Sequence, residues 1–188
     1  ALKDAMESSE ILFVCSAGNR GEDTTEKPVY PATFDLDNIL SVASVDSKGV
    51  MPRFSSYGVD VDVAAPGISI LSTIPDKGYE YYSGTSVSAA ITTGIAALVK
   101  SYLPNLSPLD IKAQILSGIV PCTNLEGKVA SQGRAHAYGA LTRTVQPEDE
   151  YAGEGNYDDI LPIPDDGDGD SWCLMDDFAS SVERLQFG

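Results

Sequence analysis

Histidine is almost missing from this chain of 188 residues: only His136 is present. Any nucleophile in the first two-thirds therefore has no imidazole upstream of it. The longest apolar runs fall well short of the roughly 20 residues that a membrane-spanning helix needs, so no span is expected. Basic residues are few, 12 against 28 acidic, which excludes the positive footprint of a nucleic-acid binder. Three cysteines, Cys15, Cys122 and Cys173, cannot all pair with one another and lack metal-ligand spacing. Cys15 lies in an apolar run and reads as a buried free thiol. No charged-then-apolar leader opens the chain. Ala1 to Glu10 looks instead like the end of a helix, as if the chain starts within a fold and any export signal lies upstream.

What is present is unevenly charged. Residues 148–188 hold 13 acidic residues and one basic residue, Arg184. A boundary is expected there, dividing residues 1–145, a folded α/β unit, from residues 146–188, an acidic tail with a possible short helix at 178–185. Asp165, Asp166, Asp168 and Asp170, followed by Asp176 and Asp177, invite a calcium-loop reading. A loop starting at Asp166 has Ser171 where glycine is needed at the sixth position, and shifting by two residues puts Pro164 at the first, so a solvated linker is the preferred reading.

Ahead of the tail, short apolar runs alternate with turns and then give way to helical periods. Phe13 to Asn19 reads as a buried strand ending in a tight turn, and Ile39 to Val45, Val59 to Ala64 and Ile68 to Ile74 read as further strands, with a turn at Asp76-Lys77-Gly78. Tyr79, Tyr81 and Tyr82 read as a half-exposed strand. Ser86 to Tyr102 has no wide polar face and is expected to be buried. Ser107-Pro108-Leu109-Asp110 announces a capped helix ending near Gly118, and Gly133 to Leu141 reads as a last short helix. Strands mixed with helices in this way indicate an α/β domain.

Two segments carry chemistry. Gly84-Thr85-Ser86 runs into a small-residue helix, placing a hydroxyl where main-chain N–H groups and the helix dipole favour negative charge. Ser16-Ala17-Gly18-Asn19 closes a strand with an amide. A hydroxyl nucleophile and an amide donor together suggest acyl transfer.

These motifs, with Tyr30-Pro31-Ala32, Phe54 to Gly58, Val63 to Gly67 and Ile70 to Thr73 between them in order, resemble subtilisin-like serine proteases over residues 1 to about 142. The resemblance implies a subtilisin-like three-layer α/β fold with a mainly parallel sheet, present only in part. It implies that Ser86 is the nucleophile and Asn19 the side-chain oxyanion donor. Ser16, Ala17 and Gly18 would form one wall of the pocket for the residue before the scissile bond, with Val29 near its floor. It further implies a cis bond at Tyr30-Pro31 and export from the cell. No cofactor is needed for the chemistry, and structural calcium is possible.

Departures are equally specific. Ala90 and Ile91 replace the family's proline and histidine, which should alter packing near the helix start. The family's Asp and His would both precede Ala1, so the general base is expected from outside this chain. A substitute triad of Ser86, Asp110 and His136 would need the nucleophile-elbow pattern, which Ser88 breaks. The expected function is peptide-bond hydrolysis on a peptide or protein substrate, completed by an N-terminal portion bearing Asp and His, or by self-association. The alternatives are an inactive regulatory fragment that binds peptide or a partner chain, and an esterase using His136.

Overall fold

The computed structural model describes residues 1–75 and 78–143, together with the backbone of residues 183–184. Helix α1 (Leu2–Glu7) leads into β1 (Phe13–Ser16), then β2 (Ile39–Val45) and β3 (Val63–Pro66). These three strands are parallel, with Val14 opposite Leu40 and Val42 opposite Val63. All seven β2 residues and all four β1 residues are buried, as expected of a sheet covered on both faces. β4 (Ile70–Ile74) and β5 (Gly78–Tyr82) form a separate antiparallel pair. The turn expected at Asp76-Lys77 lies outside the described residues, while Tyr79 and Tyr81 are exposed as the half-exposed reading requires.

Helices α2 (Thr85–Tyr102), α3 (Pro108–Ser117) and α4 (Ala137–Thr142) follow, with β6 (Val120–Pro121) and β7 (Gly133–Arg134) between the last two. The main sheet runs β6-β7-β3-β2-β1-β8, where β8 is Glu183–Arg184. One face packs Val14, Leu40, Val42 and Val63 against Ile95 and Val99 of α2 and Ile111 and Ile115 of α3. The other face splits into two clusters. One holds Val45, Val61 and Leu125, and the other holds Met6 of α1 with Phe13 and Ile39. The mixed α/β class with a mainly parallel sheet is as the sequence implies.

Four boundaries differ from expectation. The third strand begins at Val63 rather than Val59, because Asp62 takes over the ladder ahead of it. Its Oδ2 accepts the Ser41 N–H at 2.8 Å, and its own N–H reaches Ser41 Oγ at 3.0 Å. Val59 is consequently exposed, and Ala65 and Pro66, expected as a separator, belong to the strand. The fourth strand begins at Ile70, two residues later than expected, after a turn in which Ser69 adopts positive φ. Gly133 and Arg134 are strand, not helix. The helix starts only after His136, whose extended backbone and Nδ1, accepting the Gly139 N–H at 3.1 Å, form its N-cap. At the far end, Glu183–Arg184 is extended beside Phe13 and Val14 rather than helical, taking up main-chain groups that the β1 edge offers. The rest of the expected tail helix, Asp165 to Asp170, Asp176, Asp177 and Cys173 lie outside the described residues.

The serine helix is also less buried than its composition suggests. Ala89, Ala96 and Val99 are buried, whereas Ala90, Gly94 and Leu98, four residues apart, lie along an exposed line. The sheet covers one side of α2 and α3 with α4 cover another, which leaves a third side open. Ile91 packs against the main core and Ala90 faces outward, so the two unusual residues split between core and surface.

Helix α3 has the cap its sequence announces. Ser107 Oγ accepts the Asp110 N–H, and the Asp110 carboxylate accepts the Ser107 N–H. Ser107→Ala should cost about 1 kcal/mol of stability, read as a lower urea midpoint at unchanged m. The Ser107 hydroxyl and N–H hold the Asp110 carboxyl below its ordinary value. Its contribution is thus complete above that ordinary value and is lost as pH falls through the lowered one. Cys15 is buried and free. Burial, aided by the Asp62 charge, pushes its thiol up to about 12.

Candidate active site

Parallel strands bring their carboxyl ends to one edge, and that edge is where the predicted site residues gather. Asn19 follows β1 after a two-residue turn, and Ser86 is the second residue of α2. The two short loops that flank the β4–β5 pair, one leaving β3 and one entering α2, are tied together by a bond from Gly84 N–H to Gly67 O at 2.8 Å. Gly67 sits where no side chain fits, because a Cβ there would lie 2.1 Å from Ser88 Oγ, 2.4 Å from Ser44 Oγ and 2.7 Å from Gly84 O.

Above Gly84 the two key groups converge. A Cβ built on Gly84 would stand 3.2 Å from Ser86 Oγ, 3.6 Å from Asn19 Nδ2 and 3.7 Å from Asn19 Oδ1. The hydroxyl and the carboxamide thus border one small space, kept open because residue 84 has no side chain and adopts φ of +155°. Asn19 Oδ1 accepts from Thr85 N–H at 2.9 Å and from Thr85 Oγ1 at 3.0 Å. A main-chain N–H can only donate, so this bond fixes which end of the amide is oxygen. Nδ2 is therefore the donor end of the amide. The Ser86 N–H is among those that a helix start leaves without an intrahelical partner.

Thr85 is the residue that sequence reading passed over. It sits inside the Gly84-Thr85-Ser86 motif, where the serine carries the recognisable chemistry. Besides holding Asn19, its Oγ1 accepts the Gly18 N–H at 3.2 Å. One threonine thereby ties the end of β1 to the start of α2.

The pocket residues divide by what they can offer. Ser16 and Ala17 are buried, and Ala17 packs into the core on the far face of the sheet, so its side chain is spent on packing. Gly18 and Val29 lie side by side. A Cβ on Gly18 would be 3.2 Å from Val29 Cγ2 and 3.2 Å from Ser56 Oγ. Ser56, not foreseen, is buried, and its hydroxyl has no hydrogen-bond partner among the described residues. The Tyr30-Pro31 bond is cis, as the motif implied.

The substitute triad does not assemble. His136 Nδ1 is engaged in capping α4, and the Asp110 carboxylate is engaged in capping α3. Among the described residues Ser86 Oγ has no hydrogen-bond partner. No group of three or more metal-ligating side chains occurs among them either.

Residues 1–140 match the family model described as the subtilase family. The chain is 36% identical over 128 residues to the "Major intracellular serine protease" of Bacillus subtilis (strain 168), covering 64% of this chain and 39% of that protein. It is 36% identical over 121 residues to "Subtilisin DY" of Bacillus licheniformis, covering 62% of this chain and 43% of that one. Among solved structures, the "self-cleaved protease domain of PatA" superposes with a TM-score of 0.57 at 31% identity, over 69% of this chain and 48% of that one. The chain thus spans less than half the length of each of these relatives.

Proposed function

The chain belongs to the subtilase family, and from that premise we propose that it supplies the nucleophile and oxyanion hole of a serine endopeptidase. The observation that carries this reading is the convergence of Ser86 Oγ and the Asn19 amide on the space over Gly84. A peptide carbonyl entering that space places its carbon before the hydroxyl. As Ser86 Oγ adds, negative charge moves to the carbonyl oxygen, where Asn19 Nδ2 and the Ser86 N–H stabilise it. The serine proton passes to an imidazole and then to the leaving amine, and water releases the acyl group. The imidazole and its carboxylate partner come from a segment outside this chain.

Gly18 and Val29 would border the side chain of the residue before the cleaved bond. Export is not supported, since one of the matched relatives is named as intracellular. Among the described residues no helix is long and apolar enough to cross a membrane.

A second reading, an inactive fragment that binds peptide or a partner chain, is favoured by the Ser86 hydroxyl having no hydrogen-bond partner among the described residues. Fluorophosphonate labelling separates the two. A longer protein that includes the Asp- and His-bearing segments should label, and Ser86→Ala should abolish the labelling. The present chain alone should not label. Failure of the longer protein establishes the inactive reading, and labelling of the chain alone would point to His136.

A further inference from the structure

The parallel sheet has a second end. At the amino ends of β1 and β2, opposite the serine, lies an open cleft of about 920 Å³, bordered by Leu12 and Asn38 ahead of the strands and by Lys100 late in α2. Lys100 is about 21 Å along the helix from Ser86 at 1.5 Å per residue, so the cleft is separate from the candidate active site.

Its walls combine two chemistries. Ile11 and Leu36 belong to the edge of one core cluster and Leu106 to the edge of another, so the cleft runs along an apolar seam between them. Leu109, on the first turn of α3, adds a 49% exposed side chain to the same lining. Around this seam stand four carboxylates, Glu7, Glu10, Asp35 and Asp37. Among the described residues none of the four is in an ion pair or accepts a side-chain hydrogen bond. Lys100 is the one cation in the lining, and its Nζ donates to Leu106 O at 3.0 Å.

We infer that this cleft docks a basic amphipathic segment of a partner polypeptide, with aliphatic side chains seated in the seam and lysine or arginine heads on the four carboxylates. Charge selects that occupant. The chain's own tail carries 13 acidic residues and one basic residue over 148–188, and a second copy brings a net charge of −16. A second copy would meet the rim with like charge, and the tail meets this end of the sheet through main-chain pairing of Glu183–Arg184 with β1, whereas a cationic segment is drawn to the four carboxylates. The seam gives affinity to a segment that also carries apolar side chains. This inference stands apart from the proposed protease chemistry and does not depend on Ser86.

The test is fluorescence anisotropy of the full chain with a short labelled peptide alternating lysine and leucine. The triple variant Glu10→Gln/Asp35→Asn/Asp37→Asn should weaken binding by about tenfold. Leu109→Ser, at a half-exposed position that leaves the core untouched, should weaken it by about fivefold. Because the acidic tail could itself attract the probe, Asp165→Asn/Asp166→Asn/Asp168→Asn is the matched control and should leave binding unchanged. Circular dichroism checks that each variant folds. Equal affinity of the triple variant and the parent, loss of binding in the tail control, or equal affinity for a glutamate-leucine peptide would each overturn the proposal.

Discussion

Asn19→Ala, made in a longer protein that carries the Asp and His segments, is expected to lower kcat for peptide hydrolysis about 10²–10³-fold. That magnitude is borrowed from a subtilisin's own side-chain donor, a member of the same family. KM should move little, because the amide acts on charge that develops only as the carbonyl is attacked. The alanine variant also removes the acceptor of both Thr85 bonds, so a loss of stability could be mistaken for a catalytic loss. Asn19→Asp resolves this. It retains an oxygen for Thr85 but replaces the amide donor by a carboxylate, so the fold should be kept while hydrolysis falls at least as far. Undiminished kcat in both variants would remove Asn19 from the oxyanion hole.

The largest structural effect is expected at a residue that touches no substrate. Gly67→Ala places a methyl group within 3 Å of two buried hydroxyls and of the Gly84 carbonyl. A side chain could swing aside, but the carbonyl belongs to the same loop whose N–H is bonded to Gly67 O. The cost should be about 3 kcal/mol, seen as a fall in the urea midpoint at unchanged m. Because that loop leads directly into Ser86, labelling in the longer protein should fall even under conditions where the variant remains folded. A midpoint shift equivalent to less than about 0.5 kcal/mol would mean that the loop relaxes freely.

Much of this site is readable from the order of residues alone. Ser86 and Asn19 are 67 positions apart, yet each lies in a segment whose local chemistry demands a particular conformation: a glycine before a helix, and a buried strand closed by glycine and an amide. Where local chemistry was ambiguous, long-range bonds decided. Val59 to Ala64 alternates like a strand, but Asp62 spends its carboxylate on the main chain of β2. Gly133 and Arg134 look like part of a helix because the residues after them are, yet pairing with Ala64 draws them into the sheet. The helix of residues 85–102 reads as wholly buried because its small residues are apolar. Composition cannot state how many neighbours will be present to cover them. The amino-end cleft is invisible in the sequence, because its four acids come from the end of α1, the turn between α1 and β1, and the loop before β2.

The bond from the Thr85 N–H to Asn19 has a practical consequence. This single amide proton exchanges with heavy water when the Asn19 carboxamide lets go of it. Its exchange lifetime therefore gauges whether the two halves of the site are held in register, with no substrate, inhibitor or general base needed for the measurement.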